Sequence, residues 1–194
     1  MPPDHAADDD LPDDLSIRAE YERLGPDAYY RLHGADYRNP HEHAIGKALR
    51  TAVERWRPDL SRVLDLAAGS GEATLVLRSL GAGDVAGIDP FTHAAYERRT
   101  GRPCEPMTFE QVAAGGLAGR SYSLVVCSFA MHLVAESRLP LLASQLAAVA
   151  PAMWILTPHK RPRIDERWGW TLADELVVQR VRVRTHRSTM FHPA

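Results

Sequence analysis

The most constraining feature of this chain is a short apolar run that ends at a glycine loop and leads into a helix. Arg62-Val63-Leu64-Asp65-Leu66 gives way to Ala67-Ala68-Gly69-Ser70-Gly71, and Glu72 to Leu80 carries helix-forming residues. Glycines let the backbone approach a ligand closely, and the first turn of a helix has free N–H groups. Strand, glycine loop and helix in that order therefore hold the polar part of a nucleotide-like ligand. A P-loop is excluded, because no Lys follows Gly71 in the required pattern. A dinucleotide site needs G-x-G-x-x-G, and Thr74 stands at the third glycine position. Asp65 lies just before the loop, where its charge repels a pyrophosphate and attracts an ammonium or sulfonium. The favoured ligand is zwitterionic and cationic.

The rest of the chain alternates in the same way. Val85-Ala86-Gly87-Ile88 is a second apolar run, ended by Asp89-Pro90, and Thr92 to Arg99 reads as a helix. A weaker strand fits Pro103 to Thr108, and Tyr122 to Ser128 is a buried strand. Leu139, Leu142, Leu146 and Val149 step along one helical face, and Ala152 to Thr157 is the next strand. Strands alternating with helices imply an α/β fold, a doubly wound and mostly parallel sheet covered on both faces. Near the end, Val177, Val181 and Val183 alternate with Arg180, Arg182 and Arg184. That predicts a strand with one wet face, joined to the sheet by antiparallel pairing.

At these residues the chain resembles a known family. Asp65-Leu66-Ala67-Ala68-Gly69-Ser70-Gly71-Glu72 is similar to the first motif of class I S-adenosylmethionine-dependent methyltransferases. Asp89 matches that family's acidic ribose-binding residue, and Tyr122 to Leu133 resembles its fourth motif. The resemblance covers roughly residues 60–160 and implies a seven-stranded Rossmann-like sheet with S-adenosylmethionine as cofactor. It implies that the backbone at Ala67 and Gly69, with Gly71, lines the methionine and ribose part. Asp65 would act on the amino-acid end, Asp89 would accept the ribose hydroxyls, and Pro90 and Phe91 would flank the adenine. Thr108 and Phe109 fall where the family places the adenine edge. Cys127 and Ser128 end the strand beside the methyl group, and Tyr37 would donate to the methionine carboxylate. Each residue also has a plainer reading: Asp65 as a helix-dipole partner, Asp89 as a helix cap, Phe91 and Cys127 as core side chains.

Methyl transfer is an in-line displacement, so the protein must align the nucleophile, exclude water and sometimes remove a proton. His132, in the loop after the fourth motif, is the candidate base, and His159, after the fifth strand, sits at the same sheet edge. The Asn/Asp-Pro-Pro-Tyr/Phe sequence of amino-group methylases is missing, and no carboxylate cluster suits a catechol-type metal. His41 and His43 diverge on a helix and lack a third ligand, so no metal is expected. The acceptor expected is a small molecule, a metabolite or biosynthetic intermediate, methylated at O, N or C. RNA or protein methylation by a basic C-terminal face stays open, as does a non-methylating use of the cofactor.

At 194 residues the chain suits one domain. Residues 1–14 form an acidic tail with Asp4, Asp8, Asp9, Asp10, Asp13 and Asp14, residues 15–58 a helical cap, and residues 59–194 the core. The net charge of −2 exerts no global pull on nucleic acid or anionic membrane. Residues 158–194 carry eight Lys and Arg against four acids, which reads either as a solvated face or an anion-binding one. Trp168-Gly169-Trp170 either lines a substrate pocket or closes the sheet edge. Two cysteines, an acidic N-terminus and the lack of a long apolar run point to a cytoplasmic protein, monomer or homodimer, with no membrane partner.

Overall fold

Four consecutive residues of the run 62–66 are buried, and that run is an interior strand of the sheet. The computed structural model describes residues 23, 28 and 32–192. Strand β1 (Arg62–Leu66) pairs in parallel with β2 (Asp84–Ile88) on one side and β4 (Leu124–Ser128) on the other. β3 (Cys104–Glu105) extends the sheet beyond β2, and β5 (Ala152–Thr157) beyond β4, both in parallel. β7 (Val181–Ser188) runs antiparallel to β5 and to β6 (Trp170–Val178), giving the seven-stranded order β3-β2-β1-β4-β5-β7-β6. The chain leaves β1 towards β2 and returns to its other side at β4. The two loops diverge there and open a crevice at the carboxyl ends of the strands, where open α/β sheets bind ligands.

Period-two alternation explains why the strands read as unbroken apolar runs. Val63, Leu124, Val126, Trp154 and Leu156 face one layer, with Ile45, Ala48, Leu49 and Leu77 from helices α1 (Glu42–Trp56) and α2 (Glu72–Ser79). Leu64, Leu66, Val125, Cys127, Met153 and Ile155 face the other, against α4 (Phe109–Ala113) and α5 (Leu139–Val149). Helix α3 (His93–Thr100) packs Tyr96 under the glycine loop, in contact with Ala68 and Cys104. The predicted stripe Leu139, Leu142, Leu146 and Val149 is the buried face of α5. Residues 1–14, the expected tail, lie outside the described residues, as does most of 15–31. The described part of the cap holds a 3-10 turn, Gly34–Asp36, and α1.

Two expectations are corrected. The strand expected over Pro103 to Thr108 pairs only at Cys104 and Glu105. Thr108 instead caps α4: its hydroxyl accepts from Gln111 N (3.2 Å), while its own N–H donates to the Gln111 side chain (2.8 Å). A reciprocal cap satisfies two end donors at once. The single wet-faced strand expected through Val177, Val181 and Val183 turns back between Val178 and Val181, so Val177 lies on β6, and the face expected to be wet is covered on β7. Arg184 and His186 are 5% and 2% exposed, because the chain from 158 to 169 crosses that face. Arg184 holds the crossing by donating to Pro162 O (2.8 Å) and Lys160 O (2.7 Å). Trp170 closes the sheet edge, fully buried, with its indole N–H on Ala143 O (2.8 Å).

The β6–β7 hairpin turns on Gln179 and Arg180, both left-handed at φ 47° and 64°. Two-residue turns of this hand match the strand twist, but the conformation costs an ordinary residue about 1–2 kcal/mol. The double change Gln179→Asn, Arg180→Gly is expected to raise unfolding stability by about 1 kcal/mol after the entropy of the glycine is counted. Urea unfolding measures it; an unchanged midpoint refutes it.

Candidate active site

A cavity of about 370 Å³ occupies the crevice. Its floor is the loop after β1, and its walls are the turn after β2, the start of α4 and the loop after β4. Ala67 and Phe129, which follow the buried ends of β1 and β4, are both left-handed, at φ 56° and 55°. Strain of this kind in a non-glycine residue costs about 1–2 kcal/mol. Here it turns each chain sharply off its strand so that both loops face the cavity. Phe129 is braced by His41, whose ring stacks on it at 5.2 Å.

Asp65 is 1% exposed and sits on the cavity wall. Its Oδ2 accepts from Thr74 N (3.0 Å) and Thr74 Oγ1 (2.6 Å), in the first turn of α2. Its Oδ1 is buried with no hydrogen-bond partner among the described residues. The plainer reading, a partner for the helix start, is met by Oδ2, and Oδ1 has no partner among the described residues. Burial, above all, pushes the Asp65 carboxyl up to about 7, and the neighbouring Glu72 and Asp89 add to the rise.

Asp89 organises two loops. Its Oδ1 accepts from the N–H groups of Phe91 (2.9 Å) and Thr92 (2.8 Å), and its Oδ2 from Gly69 N (3.1 Å). A carboxylate has roughly four acceptor positions, so about one remains for a ligand hydroxyl. Thr92 Oγ1 returns a bond to Gly69 O (2.7 Å), which locks the glycine loop to the turn after β2.

Ten of the expected cofactor residues line the cavity together: Tyr37, Asp65, Ala67, Gly69, Asp89, Pro90, Phe91, Thr108, Phe109 and Ser128. The Ser128 hydroxyl is buried there with no partner among the described residues. Gly71 and Cys127 do not line it. Gly71 is left-handed at φ 88°, and a Cβ on it would lie 2.4 Å from Thr100, so it serves the turn into α2. The Cys127 side chain is fully buried in the sheet core. Neither His132 nor His159, the candidate bases, lines the cavity; they pack against each other edge to face, with ring centroids 4.7 Å apart at 63°. The Nδ1 of His132 is buried without a partner, and burial and then His159 hold its pKa below the ordinary value.

Sequence reasoning gave Glu72 no role of its own, quoting it only as the end of the glycine-loop motif and the start of a helix. It is buried on the cavity wall, accepts from Asn39 N (3.0 Å) and Ser70 N (3.1 Å), and pairs with Arg99 (3.2 Å). Arg99 also reaches Glu42 (2.6 Å), so this network ties the segment before α1 to the glycine loop. Tyr96 was missed as well. Its ring fills the space that a Cβ on Gly71 or Gly87 would occupy, and a glycine inside a strand is the sequence signal for such an approach. Among the described residues no three His, Cys, Asp or Glu side chains form a metal-holding group, and no helix is long and apolar enough to cross a membrane.

No protein-family model matches the chain. An uncharacterised protein of Schizosaccharomyces pombe is 28% identical over an alignment of 229 residues, covering 89% of this chain and 92% of that one. The solved magnesium protoporphyrin IX methyltransferase of Synechocystis superposes with a TM-score of 0.59 at 16% identity, covering 94% of this chain and 100% of that chain. A TehB-like S-adenosylmethionine-dependent methyltransferase of Corynebacterium glutamicum gives 0.59 at 15% identity, over 91% and 100%. The 16S rRNA methyltransferase RmtF gives 0.56 at 16% identity, over 90% and 75%. The fold is that of the class I S-adenosylmethionine-dependent methyltransferases.

Proposed function

We propose that this chain is an S-adenosylmethionine-dependent methyltransferase acting on an O, N or C nucleophile of a small-molecule acceptor. The observation that carries the reading is the charge of the cavity. Asp65, Glu72 and Asp89 line it, and among the described residues no Lys, Arg or His side chain does. A cationic ligand gains from that field and a diphosphate loses. The unpartnered Asp65 Oδ1 fits the cofactor's ammonium, and the remaining position on Asp89 fits a ribose hydroxyl. Phe91, Met107, Thr108 and Phe109 fit the adenine. Tyr37 lies over Gly69, 3.5 Å from where a Cβ would stand, and fits the amino-acid end.

When bound, S-adenosylmethionine supplies a methyl group already activated by its sulfonium. The chain then has to align the acceptor, and good alignment is worth about 7–11 kcal/mol. Phe129, Ala130, Leu133 and Val134 form an apolar wall that excludes water. His132 is not itself on the cavity wall, but it adjoins Leu133, which is. Its unpartnered Nδ1, held below its ordinary pKa by burial and then by His159, supports it as the group that takes a proton from the acceptor. The basic C-terminal part supports a small acceptor over RNA, because many of its cations are already engaged. Arg161 pairs with Glu136, Arg167 with Asp165, and Arg182 and Arg184 with Glu175. The buried free thiols of Cys104 and Cys127 fit a reducing, cytoplasmic setting.

Calorimetric titration with S-adenosylmethionine tests the reading. The wild type should bind saturably. Asp89→Ala should bind about 10–100-fold more weakly, the worth of a hydrogen bond to a charged acceptor. Folded protein that takes up no cofactor at millimolar concentration overturns the proposal.

A further inference from the structure

Asp65 is held by more than Thr74. The Tyr96 hydroxyl lies 3.1 Å from Thr74 Oγ1, and Thr74 Oγ1 lies 2.6 Å from Asp65 Oδ2. Thr74 has one hydroxyl proton. The shorter contact, to the carboxylate, takes it, so Tyr96 must donate to Thr74. The result is a directed chain, Tyr96 to Thr74 to Asp65, buried throughout. Oδ2 is fully engaged as an acceptor of the Thr74 N–H and hydroxyl. A proton on Asp65 therefore sits on Oδ1, the oxygen on the cavity wall with no partner.

We propose that the Tyr96–Thr74 hydroxyl chain is a positioning device that turns Asp65 Oδ1 into a proton-exchanging seat, so that a cationic ligand enters by displacing the proton held there. The inference rests on the cofactor reading above and deepens it. An ammonium is itself a donor and needs a bare oxygen to donate to. While Oδ1 carries a proton, two donors would meet, so binding expels one proton to solvent. The surroundings favour that proton in the empty site. Glu72 at the head of α2 and Asp89 after β2 are anionic neighbours, and Arg99 of α3 is engaged by Glu72 and Glu42. Tyr96 of α3, Cys104 of β3 and Cys127 of β4 also face Asp65, and burial holds each of them neutral. Tyr37, and Glu110 of α4, lie on the cavity wall, and Arg78 of α2 acts on Tyr96 while donating to Thr100 O. Among the described residues no cation on the cavity wall offsets Asp65.

Calorimetric titration with S-adenosylmethionine in buffers of differing ionisation enthalpy counts the protons released. With the Asp65 carboxyl near 7, the wild type should release close to one proton per cofactor near pH 6 and less than about half near pH 7.5. Affinity should rise with pH over the same range. Thr74→Val keeps the side-chain shape and removes the hydroxyl link. It should weaken binding near pH 7.5 about tenfold and keep proton release close to one there. Tyr96→Phe, which leaves the ring beneath Gly71 and Gly87, should shift both readouts the same way by less. Asp65→Asn should release no proton at any pH. A purely structural role for Thr74 would lower thermal stability and leave the proton count alone, and that result overturns the inference. Saturable binding with no proton exchange also overturns it while leaving the cofactor reading intact. No binding at any pH removes both.

Discussion

Replacing His132 by Gln should lower kcat by about 10²–10⁴-fold, the usual worth of a positioned base, and should leave the dissociation constant for S-adenosylmethionine at its wild-type value. The reason is placement. His132 lies in the 3-10 turn Met131–Leu133, next to Leu133, which lines the cavity with Ala130 and Val134. Its Nδ1 is buried and unpartnered among the described residues, a condition that normally signals a missing ligand or a catalytic role. Burial is the larger cause of its lowered pKa and the adjacent His159 the smaller. The imidazole is thus neutral, and able to accept a proton, down to below its ordinary 6.5. The kcat profile should be flat above that pH and fall on the acid side. His159→Ala removes the like charge and should move the acid limb to higher pH. A His132→Gln enzyme with wild-type kcat reassigns the ring pair to packing.

The second large effect is on stability. His186 is 2% exposed on β7, and burial pulls its pKa down to about 4. Asp65, 1% exposed, is pushed up to about 7. Each tenfold change in proton affinity is worth about 1.4 kcal/mol. For His186 the unfolded chain takes a proton below 6.5 that the folded one refuses until about 4. Stability is lost as pH falls through that window, by about 3 kcal/mol. For Asp65 the folded chain keeps its proton up to about 7, whereas the unfolded one loses it above 3.8. Stability is lost as pH rises through that window, by about 4 kcal/mol. The two slopes oppose each other, so together they leave the wild type nearly flat between pH 4 and 6.5. His186→Leu should unmask the Asp65 slope and give a protein that weakens as pH rises. Asp65→Asn should do the reverse and give an acid-sensitive protein. Urea unfolding across that range reads both. Parallel wild-type and variant curves overturn the argument.

Both effects come from groups whose importance was unevenly visible in the chain. His132 was legible, because a polar residue shortly after a buried strand falls at the sheet's carboxyl edge whatever the details. His186 was not, because Arg182, Arg184 and His186 look like the solvent side of an alternating strand. The loop that covers them has no periodic signature, and Arg184 is buried only because main-chain carbonyls at Lys160 and Pro162 come to meet it. Glu72 was hidden for a related reason. Its partners Asn39, Glu42 and Arg99 come from distant segments.

Local order decided the outline. Apolar runs ending in Gly69-Ser70-Gly71 and Asp89-Pro90, separated by helices, leave a parallel sheet as the way to bury both faces, with the ligand at its carboxyl edge. Most of the candidate cofactor residues were legible with it, since they follow β1, β2 and β4, whereas Tyr37 lies before α1 and was reached only through the family resemblance. Only the tertiary structure decided how those groups are charged and shared. Burial pushes the pKa of Asp65 up, three backbone N–H groups occupy most of Asp89, and packing withdraws Gly71 and Cys127 from the cavity. Residue type and spacing report which groups arrive at a site, whereas desolvation and hydrogen bonds from remote segments determine what those groups can do once there.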